Sequence, residues 1–301
     1  MADNRLTTLL AGRPAILDGG YGWLLQERGL PPGEVAERWN IDEPDRIAQL
    51  HDEYATAGAQ ILTTNTFGGT RGRLAGHGLE DHVHEINSAA AAIARAVADR
   101  HGILVAGDLG PTGELLEPLG TLTPDGAQEL FAAQLRGLVA GGIDVVLIET
   151  MSDLGEARAA IAAAQEVAPD LPVIATLSFD VNLRTMMGVT PDAAVRALVD
   201  AGADAVGANC GRGPDEMEPI ATQMRDAREA IGADVLLVAQ SNAGLPQLEG
   251  SEFVYTVGPE EMAAHAKTLQ GLGIDVIGAC CGSSPEHIQA MANALADGAI
   301  D

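Results

Sequence analysis

A parallel (β/α)8 barrel is the fold class predicted by the 301-residue sequence, and three observations carry that prediction. Eight short and nearly continuous apolar runs recur along the chain, the pattern of strands buried on both faces. Alanine-rich stretches of helical period separate them, so strand and helix alternate as a parallel sheet requires. Polar and glycine-rich residues follow the carboxyl end of nearly every run. An open doubly wound sheet, the rival fold, would gather such residues at one switch point instead.

The first run, residues 15–18, leads into Gly19-Gly20-Tyr21-Gly22; residues 27–46 read as one long loop, overlapping the start of a helix over 45–57. Residues 60–64 end in Asn65-Thr66-Phe67-Gly68 and are followed by a helix over 82–99. The third run, 103–106, opens into Gly107-Asp108-Leu109-Gly110-Pro111-Thr112-Gly113 before a helix over 125–140. The fourth, 144–148, ends at Glu149-Thr150 ahead of a helix over 154–167; the fifth, 172–177, ends at Ser178-Phe179-Asp180 ahead of 191–201. The sixth, 205–208, reaches Asn209-Cys210-Gly211 and a helix over 214–231. The seventh, 235–239, precedes Gln240-Ser241-Asn242-Ala243-Gly244 and a helix over 259–272; the eighth, 275–279, precedes Cys280-Cys281-Gly282 and a helix over 285–295. Thr123-Pro124-Asp125, Thr190-Pro191-Asp192 and Ser284-Pro285-Glu286 each offer a capping hydroxyl, a proline at the first helical position and an acid in the first turn. Gly58, Gly141-Gly142, Gly202 and Gly271 mark helix ends. No linker or low-complexity tract divides the chain, so residues 1–301 read as a single domain.

Composition narrows the function classes. Seventeen basic residues stand against 43 acidic ones, a formal charge of −26, and a single lysine, Lys267, is present. Such a field repels nucleic acid and anionic membrane surfaces. Hydrophobic residues make up 47% of the chain at a mean hydropathy of +0.10, yet no apolar run approaches the ~20 residues that cross a bilayer. The residues Met1-Ala2-Asp3-Asn4-Arg5 carry no basic region ahead of an apolar stretch, so no secretory signal is expected. Three cysteines, two of them adjacent, make a poor disulfide framework and suit the reducing cytoplasm, the expected location.

All three cysteines stand where an apolar run emerges into a glycine-containing turn. In a barrel the sixth and eighth strands flank the seventh, which brings Cys210 within reach of Cys280 and Cys281. Adjacent strand residues point to opposite faces, so Cys280 and Cys281 can share a ligand only if the chain turns between them, which Gly282 permits. Three thiolates without an obligatory fourth protein ligand are the pattern of a zinc site with an open position. Zinc so held is electron-rich and suited to a soft fourth ligand such as a substrate thiol.

The segments Asp18-Gly19-Gly20, Thr64-Asn65-Thr66-Phe67-Gly68, Gly110-Pro111-Thr112-Gly113-Glu114, Ile148-Glu149-Thr150, Gly207-Ala208-Asn209-Cys210-Gly211, Ser241-Asn242-Ala243-Gly244-Leu245-Pro246 and Cys280-Cys281-Gly282 together resemble the zinc-dependent homocysteine S-methyltransferases. That group includes betaine–homocysteine methyltransferase and the homocysteine-binding domain of cobalamin-dependent methionine synthase. The resemblance implies that Cys210, Cys280 and Cys281 hold Zn2+, that Glu149 binds the amino group of homocysteine, that Asp18 with Gly19 lies beside its amino-acid portion, and that Asn242 approaches the zinc when no substrate is bound. It further implies methyl transfer to the homocysteine sulfur, giving methionine.

One barrel leaves no room for a cobalamin or folate module, so a methylcobalamin route would need a separate cobalamin-carrying partner protein. The expectation is therefore a small diffusible donor, betaine-like or methylsulfonium. Tyr21, Trp23, Phe67 and Phe179, each just after a strand, are the aromatic faces that could receive its cation, Tyr21 and Phe67 foremost. Self-association is left open. An aldolase or metal-dependent hydrolase on the same fold would want a lysine at a strand end or His and carboxylate ligands, and a non-catalytic zinc-binding thiol sensor would keep metal without chemistry.

Overall fold

The computed structural model describes Leu6 and residues 14–249 and 252–296; the first five residues, read above for a signal, lie outside that range. The barrel strands are β1 (Ala15–Ile16), β2 (Ile61–Thr63), β3 (Leu104–Leu109), β4 (Val145–Met151), β5 (Val173–Leu177), β6 (Ala205–Cys210), β7 (Leu236–Ser241) and, after an antiparallel hairpin of β8 (Gln247–Glu249) and β9 (Glu252–Val254), β10 (Val276–Ala279). They form one eight-stranded parallel sheet in the order β1-β10-β7-β6-β5-β4-β3-β2. A parallel bridge pairs Leu17 with Ile61, and the Gln60 N–H donates to the Ile16 carbonyl at 2.8 Å, closing the sheet on itself between β1 and β2. The fold class is the (β/α)8 barrel expected.

The helices are α1 (Gly22–Glu27), α2 (Trp39–Asp42), α3 (Pro44–Ala57), α4 (Arg71–Ala75), α5 (Val83–His101), α6 (Pro124–Gly141), α7 (Leu154–Val167), α8 (Pro191–Ala201), α9 (Pro214–Ile231), α10 (Pro259–Gly271) and α11 (Pro285–Ala296). Thr123 Oγ1 accepts from the Gly126 N–H at 3.0 Å and Thr190 Oγ1 from the Ala193 N–H at 3.3 Å, as their capping pattern predicts. Three expectations need correction. The loop read over 27–46 holds a 3-10 turn, Ala36–Arg38, and α2, because Trp39 is drawn into the core. Helix α10 runs through Gly271, and the glycine in the left-handed region is Gly273 at φ +78°. Ser284 turns to its neighbour His287, whose Nδ1 lies 2.9 Å from Ser284 Oγ.

Strand alternation explains why the runs look continuously apolar. Leu17, Ile61, Ala106, Val145, Leu147, Ile174, Ala205, Val238 and Val276 fill the barrel interior, while the intervening Val105, Val146, Ala175, Val206, Leu237 and Ile277 pack outward in the larger core. Each buried Ile, Leu or Val stabilises the fold by about 1.5–3 kcal/mol. One step further along the inward positions the side chains become Thr63, Asp108, Glu149, Thr176 and Gln240, and Asn209 follows Ala205 and Gly207 on the sixth strand. This polar layer is the floor of the mouth. Among the described residues no helix is long and apolar enough to cross a membrane.

Candidate active site

A cavity of about 670 Å³ occupies the mouth at the carboxyl ends of the strands, and Asp18, Glu149, Cys210, Cys280 and Cys281 all line it. Cys210 Sγ lies 2.9 Å from Cys280 Sγ, which lies 4.0 Å from Cys281 Sγ, and all three sulfurs fall within 4.8 Å of one another. Backbone geometry makes this convergence possible. Cys210, the last residue of β6, adopts φ +60°, a left-handed conformation costing a non-glycine residue roughly 1–2 kcal/mol. After Cys280 the chain leaves strand geometry, and Gly282 takes φ +79° beneath the Tyr255 ring, where a Cβ would sit 2.1 Å from Tyr255 Cγ.

Asparagines hold the two cysteine loops together. Asn242 accepts from the Cys281 N–H at 3.0 Å and donates to the Gly211 carbonyl at 2.7 Å, so both ends of its amide are taken up by backbone. Beside the sulfurs stands Asn209, whose amide nitrogen lies 3.7 Å from Cys210 Sγ and 4.0 Å from Cys280 Sγ. Its carbonyl accepts from the Thr150 N–H and from Thr176 Oγ1, each at 2.7 Å. Thr150 itself is left-handed at φ +59°, within a register shift of β4 between Ile148 and Met151.

The donor set fits a thiophilic ion. Three sulfurs each about 2.3 Å from one tetrahedral zinc stand about 3.8 Å apart, and the observed separations of 2.9 Å and 4.0 Å bracket that spacing. Hydrogen bonds from Cys210 and then Cys280 hold the Cys281 thiol down at about 3. Cys280 is pushed well above its ordinary range by its bonds to Cys210 and Cys281 and by burial. The protons these sulfurs still hold are ones that a bound metal ion would displace.

Carboxylates surround the rest of the cavity. Asp18 latches the β1–β2 seam: Oδ2 accepts from the Thr63 N–H and Oδ1 from Thr63 Oγ1, each at 2.7 Å, and the Tyr21 hydroxyl donates to Oδ2 at 2.7 Å. Burial nevertheless pushes its carboxyl up to about 7. Gly19 and Gly20 let this loop press on the cysteine loop; a Cβ on Gly20 would meet the Cys280 carbonyl oxygen at 2.7 Å. Glu149, half-buried, is raised to about 8 by desolvation, then by the charges of Cys281 and Asp18, against a hydrogen bond with Gln240. Asp108 is held well above the carboxylate range by burial and by the charges of Glu149, Glu37 and Asp18. Glu37 is also raised by burial, and its Oε1 accepts from the Gly68 N–H.

The aromatic candidates separate. Tyr21, Trp23 and Phe67 line the cavity, whereas Phe179 is buried in the core. The Tyr21 hydroxyl is committed to Asp18 and stands 2.8 Å from His51 Nδ1; the Phe67 ring has the Arg73 guanidinium 5.9 Å from its centroid. Trp23 meets the edge of Tyr255 at 5.8 Å between centroids. Asp108, Gln240, Glu37, Asn209 and Thr150 were not singled out as site residues by the sequence. For Asp108 the signal was present: a carboxylate continuing a buried strand run, the same feature that marks Glu149.

A family model of homocysteine S-methyltransferases matches residues 15–295. Among solved structures, the oxidized form of the homocysteine methyltransferase MmuM from Escherichia coli superposes with a TM-score of 0.81 at 21% identity, covering 97% of this chain and 99% of that one. Its metallated form gives 0.80 at 21% identity over 96% and 99% of the two chains. A type I 3-dehydroquinate dehydratase from Clostridium difficile is similar at 0.54 and 13% identity over 95% and 94%. At these identities the likenesses carry the fold, a barrel.

Proposed function

This chain belongs to the homocysteine S-methyltransferase family, and we propose that it holds zinc on Cys210, Cys280 and Cys281 and methylates the homocysteine sulfur from a small cationic donor. The observation that carries the reading is the convergence of three thiols within 4.8 Å at the edge of a carboxylate-lined cavity. Zinc bound there would accept the homocysteine sulfur as a further ligand and lower its thiol pKa, supplying a thiolate at neutral pH. Glu149 pairs with the substrate ammonium, and Asp18, fixed by Thr63 and Tyr21, lines the same cavity. Asn209 steadies two of the sulfurs through its amide hydrogens.

The thiolate attacks the donor methyl carbon; the S–C bond forms as the bond from methyl to the onium nitrogen or sulfur breaks, and its electron pair leaves with the donor. Anion and cation thereby become two neutral groups. The carboxyl groups of Asp18, Glu37, Asp108 and Glu149 line one cavity and hold one another's ionisation down, so an entering cation, betaine-like or methylsulfonium, would be stabilised as it draws them into the carboxylate form. Lys267, the single lysine, is exposed on α10, which disfavours Schiff-base chemistry.

A second reading draws on the rim. Leu119 and Met186, 65% and 75% exposed, stand with Leu115, Val181 and Leu245 on the loops after β3, β5 and β7, all on the mouth side. Such an apolar ring suits a partner protein that presents the methyl group on its own corrinoid. Zinc-loaded protein with homocysteine and, separately, glycine betaine, S-methylmethionine, S-adenosylmethionine, or methyltetrahydrofolate with methylcobalamin distinguishes the two. Methionine from an onium donor supports the first reading; methionine in the last mixture alone overturns it in favour of the second.

A further inference from the structure

Tyr54 on α3 and Ser283, two residues beyond Cys281, carry hydroxyls that are fully buried, and neither residue lines the cavity. A buried hydroxyl costs free energy unless its hydrogen bonds are made. Both spend theirs on the same two loops. The Ser283 hydroxyl donates to the Cys280 carbonyl at 2.6 Å, and its oxygen accepts from the Gly20 N–H at 3.0 Å. The Tyr54 hydroxyl donates to the Gly20 carbonyl at 2.8 Å, with the Ser283 carbonyl 3.4 Å away. An unbroken chain of bonds therefore runs from helix α3 through Gly20 and Ser283 to the backbone of Cys280.

The chain ends on the turn that lets Cys280 and Cys281 face one ion. The Ser283 N–H donates to the Cys280 carbonyl at 3.2 Å, and Gly282, third of the four residues, takes φ +79°, as a tight turn of this kind demands. Ser283 Oγ adds a second and shorter bond to the same carbonyl. The fit on the other side leaves no slack. A Cβ on Gly19 would stand 2.6 Å from Ser283 Oγ and 2.9 Å from the Tyr54 hydroxyl oxygen, and one on Gly20 would stand 2.7 Å from the Cys280 carbonyl oxygen.

We propose that Tyr54 and Ser283 are positioning residues for the zinc ligands: together they clasp the turn between Cys280 and Cys281 to the Asp18-Gly19-Gly20 loop, so that metal retention depends on two hydroxyls outside the ligand set. The inference rests on the three cysteines being a zinc site. Groups that orient metal ligands from behind carry about 10- to 100-fold of metal affinity, because ligands left free to move must be ordered again when the ion binds.

Zinc titration of the reduced full chain in competition with a chromophoric chelator tests this on wild type, Tyr54→Phe, Ser283→Ala and the double variant. Each single variant removes one hydroxyl and should weaken zinc binding about 10-fold or more. The double variant should lose little beyond the worse single one, since both act through one chain of bonds. Thr190→Ala, which removes the α8 cap outside the cavity lining, is a control that lowers stability alone and should hold zinc within about twofold of wild type. Zinc affinity within about twofold of wild type in either single variant, losses that multiply in the double variant, or an equal loss in Thr190→Ala would overturn the clasp and leave zinc on the cysteines. Wild type that binds no zinc would overturn the functional reading and the clasp with it.

Discussion

Replacing Asp18 with asparagine should make the barrel less sensitive to rising pH. In the folded chain burial pushes the Asp18 carboxyl from an ordinary 3.8 up to about 7, against the lowering effect of bonds from the Thr63 N–H, Tyr21 and Thr63 Oγ1. Between those values the folded state holds a proton that the unfolded chain has released. Its stabilising contribution is therefore complete below pH 3.8 and is lost as pH rises through 7. About three units at 1.36 kcal/mol each make the whole swing about 4 kcal/mol, of which about 2.5 kcal/mol falls between pH 5 and pH 8. The amide that Asp18→Asn introduces cannot ionise. Urea unfolding of both proteins at pH 5 and pH 8, metal-free and reduced, cancels the titrations of groups that the Asp18 charge does not reach. The stability difference should move toward Asp18→Asn by about 2.5 kcal/mol across that window. A difference that stays constant within about 0.5 kcal/mol would refute the reasoning and leave Asp18 a fully ionised latch.

Glu149→Gln should weaken homocysteine binding by about 1.5–3 kcal/mol with zinc content unchanged; zinc loss with unaltered affinity would move Glu149 from substrate to scaffold. Because Glu149 is raised to about 8, wild-type affinity should climb from pH 6 to pH 8 as the carboxylate forms, and the variant's should not, as calorimetry at each pH would read. Gly282→Ala combines φ +79° with a Cβ 2.1 Å from Tyr255 Cγ, so it should cost about 2–4 kcal/mol in denaturation and reduce zinc occupancy. Wild-type stability there would mean that the Tyr255 strap yields freely.

The barrel was legible because its strands are buried on both faces, two of its helices begin with Thr-Pro-Asp and several end in glycine, signals of local chemistry. The cysteines were legible for the same reason: each stands at the end of an apolar run. What escaped depends on contacts between distant residues. Asp18 reads as the carboxylate that closes the first run, yet its two oxygens serve a threonine on the next strand, and only barrel closure brings Thr63 to it. Asn242 and Asn209 are indistinguishable as polar residues after strands; the first braces two loops through backbone partners and the second meets the sulfurs. The left-handed backbone of Thr150 and Cys210 carries no sequence mark, since neither is glycine. Trp39 looked like part of a loop because the helices that cover it lie elsewhere in the chain.

The central claim is that Cys210, Cys280 and Cys281 bind one zinc and leave a place for the substrate sulfur. X-ray absorption of the zinc-loaded protein, recorded with and without homocysteine beside metal analysis, tests it most directly. The account predicts one zinc per chain with three sulfurs at about 2.3 Å, becoming four when homocysteine is added. Zinc that is absent, or a sulfur shell that homocysteine leaves unchanged, would contradict it.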